Sequence, residues 1–128
     1  MDAEINISKE DAIFYLEMID SVKSPNFKPG LFRRKPYYIL IKDRESINYK
    51  RFISVYTALR YVLSDREQFI LNRVYGINHE VTPTKNIASS LQITPGRVLT
   101  IRNKANVKLA REILKLFKTK KEHIPIKE

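Results

Sequence analysis

Cysteine is absent from the 128 residues, which excludes disulfides and thiolate-bound metal and fits a cytoplasmic protein. Only three glycines occur, none of them in a Gly-rich loop that would cradle a phosphate. No apolar run approaches the roughly 18 residues that a membrane-spanning helix needs. The amino terminus carries Asp2 and Glu4 rather than a basic segment followed by an apolar stretch, which argues against secretion. His79 and His123 are isolated, with no carboxylate or second histidine at ligand spacing. Ser64, Ser89 and Ser90 lack the context of an activated nucleophile, and Glu67 and Glu80 have no acid–base partner. The sequence therefore points away from an enzyme, and no metal or other cofactor is expected.

What is present is apolar surface and positive charge. A hydrophobic fraction of 43% suffices for a core, so wholesale disorder is not expected. The formal net charge is +10 and unevenly spread. Residues 1–24 carry six acidic and two basic side chains, and residues 25–63 carry nine basic and two acidic ones. Residues 64–94 hold three of each, and residues 95–128 hold ten basic and three acidic. Two basic segments flanking a neutral one point to a polyanionic partner, because Lys and Arg that neutralise phosphates release condensed counterions.

The pattern predicts a mainly α-helical fold of five helices. The first spans residues 8–22, with Ser8 as N-cap, Glu10 and Asp11 in the first turn, and Ile13, Leu16, Val22 and either Phe14 or Met18 at helical spacing. Its apolar face is expected to dock on the basic middle of the chain. Pro25, Pro29 and Gly30 then break the helix. The run Tyr37, Tyr38, Ile39, Leu40 and Ile41 is short and reads as a strand near 37–42 or as an extended segment. Helical spacing returns over residues 47–62, with Phe52, Val55, Tyr56, Leu59 and Val62 on one face.

Ser64 and Glu67 have capping-box spacing at the start of the next helix, and Gly76 is placed to end it. A loop through residues 78–83 leads to a short helix from Thr84 to Leu91 and a turn at Gln92 and Ile93. Thr94 caps a long last helix with Pro95 at its first position, running to about Phe117. Three units result: a helical and basic segment, 1–62, packed on the rest; a helical unit, 63–117; and a flexible basic tail, 118–128.

Residues 84–109 have the organisation of a helix-turn-helix. Ile87, Ala88 and Leu91 form the inner face of its first helix, Ile93 plugs the turn, and Val98 and Ile101 form the inner face of the second. Two sequence blocks make this more specific. In LSDREQFILNRVYGI, Leu63, Arg66, Glu67, Ile70, Leu71, Tyr75, Gly76 and Ile77 match the opening helix of the fourth region of bacterial sigma factors. In TKNIASSLQITPGRVLTIRNKANVKL, the matching residues are Thr84, Ile87, Ala88, Leu91, Ile93, Thr94, Arg97, Val98, Ile101, Lys104, Ala105, Lys108 and Leu109. The chain thus resembles that region over residues 63–109.

The resemblance implies sequence-specific binding of double-stranded DNA by a cytoplasmic, phage-related transcriptional regulator, monomeric or homodimeric. The last helix would enter a major groove. Thr94, Arg97, Thr100, Arg102, Asn103, Lys104 and Lys108 are the candidate contacts, with Arg97 or Asn103 on base edges and Arg102, Lys104 and Lys108 on phosphates. Arg33, Arg34, Lys35 and Lys85 are candidate backbone contacts, and Phe32, Tyr37 and Tyr38 beside them read as packing residues. The chain also departs from the pattern. Promoter-reading sigma factors carry arginine, glutamate and glutamine where Pro95, Gly96, Leu99 and Thr100 stand here, and residues 1–62 show no other sigma region. Two alternatives follow: a phage packaging protein resembling a small terminase subunit, and an interaction protein that binds RNA polymerase or an anti-sigma factor with little DNA affinity.

Overall fold

The computed structural model describes residues 7–21, 23–25 and 35–119, with residues 117–119 described by backbone alone. Arg33, Arg34, Phe32, Val22, His123 and the tail beyond Thr119 lie outside the described residues. Among the described residues six α-helices follow in order: α1 (Lys9–Met18), α2 (Tyr37–Leu40), α3 (Ile47–Leu59), α4 (Asp65–Tyr75), α5 (Thr84–Leu91) and α6 (Pro95–Thr119).

The Ser8 hydroxyl caps α1, accepting from the Asp11 amide at 3.0 Å. The helix stops short of the expected Val22. Asp20 takes a left-handed conformation at φ 58°, and the Ser21 amide donates back to the Leu16 carbonyl at 3.0 Å, closing the end. The buried face is Ala12, Tyr15 and Leu16, continued by Ile19. Ile13, expected inside, is only half-buried, because the row at 12, 15, 16 and 19 is the one turned to the core. The acidic helix docks on the basic middle of its own chain: Arg51 Nε donates to Asp11 Oδ1 at 2.8 Å, and its guanidinium lies 4.2 Å over the Phe14 ring.

The segment read as a strand near 37–42 is the short helix α2, and no strand occurs among the described residues. Strand alternation would bury Tyr37, Ile39 and Ile41 together. The core takes Tyr37 and Leu40 instead, three residues apart, and leaves Ile39 74% exposed. Pro36 already has helical angles (φ −56°, ψ −29°) and sets the first turn. Helix α3, capped by Ser46, buries Tyr49, Phe52, Val55, Tyr56 and Leu59. It tightens into a 3-10 turn over Arg60–Val62 rather than continuing as α-helix to residue 62.

One aromatic cluster joins α1, α2 and α3 to α4. The Tyr15 ring stacks on Phe52 at 4.6 Å between centroids. Tyr75, from α4, sits edge-on to Tyr37 at 5.1 Å, Phe52 at 4.9 Å and Tyr56 at 5.3 Å. Two of the cluster's hydroxyls bond to asparagines: Tyr75 donates to Asn106 Oδ1 at 3.2 Å and Tyr56 to Asn72 Oδ1 at 2.8 Å. Burial raises the pKa of Tyr15, Tyr56 and Tyr75, so all three stay neutral donors. Helix α6 closes the domain with Val98, Ile101, Ala105, Leu109, Ala110 and Ile113 turned inward. It runs two residues past the expected Phe117, a length of about 37 Å at 1.5 Å per residue.

Candidate nucleic-acid interface

The carboxy-terminal half positions α6 through a series of fixed helix ends. At the start of α4 the capping box forms: the Ser64 amide donates to Glu67 Oε1 at 2.9 Å, and the Glu67 amide to Ser64 Oγ at 3.1 Å. Lys108 Nζ, reaching from α6, donates to the same Glu67 oxygen at 2.9 Å. Burial pushes the Glu67 carboxyl up, but the Ser64 amide and Lys108 outweigh it and hold the pKa below its ordinary value. Gly76 ends α4, and Arg44 Nη1 clamps the following loop by donating to the Gly76 carbonyl at 2.6 Å and the His79 carbonyl at 2.8 Å. The Thr82 amide returns to the Arg73 carbonyl at 2.9 Å, leading the chain into α5.

Helix α5 buries Ile87 and Ala88 against α6 and ends at Gln92, which is left-handed at φ 60°. The Ile93 amide donates to the Ala88 carbonyl at 3.0 Å, and Ile93 packs against the core from the turn. Thr94 Oγ1 accepts from the Arg97 amide at 3.1 Å, so Thr94 is the N-cap of α6 and Pro95 its first residue.

The candidate contact residues separate into groups along α6. Arg97, Thr100, Lys104 and Lys108 recur at i, i+3, i+7 and i+11, so they share one exposed stripe. Arg97 and Lys104 extend into solvent there, whereas Lys108 is tied to Glu67. Thr100 Oγ1 donates to the Gly96 carbonyl at 3.1 Å. Arg102, expected on phosphate, lies on another side of the helix from Arg97 and is half-buried. Its Nε and Nη2 donate to Asn103 Oδ1 at 3.3 and 3.0 Å, and its Nη1 reaches the Tyr38 hydroxyl at 3.5 Å. Asn103 is exposed, as is Lys85 on α5.

Leu99, Val107, Lys23 and Arg111 carry no expected contact from the sequence, yet all four lie at this face. Leu99 and Val107 are 38% and 45% exposed, and both stood at helical spacing from Asn103. Lys23, Lys35 and Arg111 line a cavity of about 350 Å³ whose wall includes Asn103 and Val107. Lys35 is thus placed beside α6, a position no local pattern announces. Among the described residues no three histidine or acidic side chains cluster as a metal site would require, and no helix is long and apolar enough to cross a membrane. The arrangement offers a fixed helix with an uncharged strip between cations, a geometry suited to a charged, grooved partner. In comparisons with known proteins, no family model, no curated protein and no solved structure matches the chain.

Proposed function

We propose that the protein binds double-stranded DNA sequence-specifically as a transcriptional regulator, with α5, the turn at residues 92–94 and α6 acting as a helix-turn-helix like that of the sigma fourth region. The observation that carries this reading is the α5–α6 hairpin. A left-handed Gln92, a buried Ala88 at the crossing and a Thr94-capped α6 hold one helix out with Arg97 and Lys104 exposed along it. An α-helix fits the B-DNA major groove, which is about 12 Å wide.

In this mechanism the first turns of α6 enter the groove. The amino-terminal end of the helix carries a partial positive charge that favours a phosphate near Thr94. Arg97 reaches a base edge at the floor, while Lys104 meets the backbone and Lys85 a flanking phosphate. Arg102 and Lys108 are occupied by Asn103 and Glu67 and serve orientation before phosphate binding. Selection of bound sequences from a random duplex library tests the proposal, with a recurring site expected for the native chain.

A second reading draws on Pro95 and Gly96, exposed at the opening turn of α6 with no side-chain hydrogen bonds to offer bases. It has the same hairpin binding RNA polymerase or an anti-sigma factor. A pull-down of polymerase by native and Arg97→Ala chains separates the two, because DNA reading requires Arg97.

A further inference from the structure

The side of α6 turned away from the core is formed by Gly96, Leu99, Thr100, Asn103 and Val107, all exposed. Leu99, Asn103 and Val107 follow one another at four-residue intervals, giving an aliphatic–amide–aliphatic strip. Eight residues of helix separate Leu99 from Val107, a rise of about 12 Å, or roughly three to four base-pair steps. Thr100 adds to the apolar character, since its hydroxyl is turned back to the Gly96 carbonyl. No charged side chain lies within the strip. Cations flank it instead: Lys104 on one side, with Arg97 at its amino-terminal end, and Lys23, Lys35 and Arg111, together with the one carboxylate Asp20, around the cavity beside Asn103 and Val107. A major groove has the complementary layout, a floor of base edges between two phosphate rims.

The chemistry of the strip selects among base pairs. Guanine is read best by a paired cationic donor, and the centre of the strip has none. A carboxamide matches adenine, donating to N7 and accepting from the N6 amino group, and aliphatic groups match the thymine methyl. Asn103 is already oriented for this. Arginine only donates, so the oxygen facing Arg102 is Oδ1, where Nε at 3.3 Å and Nη2 at 3.0 Å take both lone pairs; the amide nitrogen stands on the other side to donate to N7, and the N6 amino group takes the place of the longer Nε bond. Arg102 is therefore a positioning residue.

We infer that the outer face of α6 reads A·T base pairs, Asn103 on an adenine edge and Leu99 and Val107 on thymine methyls. This rests on the DNA-binding reading above and specifies its target. The test uses the full chain and its selected duplex, altering the DNA so that protein folding is not in question. Uracil in place of a contacted thymine removes one methyl and is expected to weaken binding about fourfold, the worth of one buried methyl. The penalty disappears in the matching Leu99→Ala or Val107→Ala chain. Adenine replaced by 7-deazaadenine at the central pair weakens binding roughly fivefold or more, and no further in Asn103→Ala. Arg102→Ala lowers discrimination at that adenine while leaving the salt dependence of binding unchanged, which loss of a phosphate contact would not do. A selected site with a G·C centre, or indifference to both base analogues, overturns the inference and leaves DNA binding standing. Absence of duplex binding overturns both.

Discussion

Gly76 has a φ of +78°, and a Cβ built there would stand 2.8 Å from Val81 Cγ2 and 3.1 Å from Arg44 Cδ. Left-handed backbone and crowding add together, so Gly76→Ala is expected to destabilise the fold by about 2 kcal/mol or more, read from urea unfolding. Glu67 gives a pH signature. Its folded pKa lies below the ordinary value near 4.5, so its contribution is fully present above the unfolded pKa and is lost as pH falls through the folded one. Unfolding midpoints should therefore drop as pH is lowered below about 4.5, and Glu67→Gln should flatten part of that slope. Ser64, Glu67, Gly76 and Thr94 were all legible as caps because a cap depends on residues within one helical turn. The bonds from Lys108 to Glu67 and from Arg102 to Tyr38 were not, since they depend on how helices cross.

Between elements, the crossing of α5 on α6 depends on the small Ala88, 2% exposed. Ala88→Leu should cost roughly 1–3 kcal/mol of stability by overpacking and re-aim α6, so DNA affinity should fall more than stability alone explains. Differential scanning calorimetry beside a binding titration checks this. The boundaries of α5 were readable because Pro83, Thr84, Gln92, Thr94 and Pro95 punctuate the chain. Helix α2 was not, because four residues of Tyr, Ile and Leu fit either period, and only the core's choice of Tyr37 and Leu40 over Ile39 decides. Tyr75 packs against rings from α2 and α3, and its hydroxyl meets that of Tyr15 on α1. Residues 63–119 expressed alone should therefore lack cooperative unfolding by circular dichroism, despite carrying all of the sigma-like pattern.

For the whole molecule, the charge pattern set the expectation of a polyanionic partner, and the fold arranges part of that charge around α6. Lys104 is exposed and takes part in no salt bridge among the described residues, so Lys104→Ala should weaken DNA binding at all sequences and reduce the slope of log K against log salt by about 0.9. Lys108→Ala should shift that slope less and lower stability more, because Lys108 is bound to Glu67. The most direct test of the central claim is selection from a random duplex library by the native and Arg97→Ala chains side by side, with enriched duplexes re-measured at two salt concentrations. A recurring motif is expected for the native chain and is lost on Arg97→Ala. Salt-sensitive binding without an enriched sequence, the same for both chains, would contradict that claim.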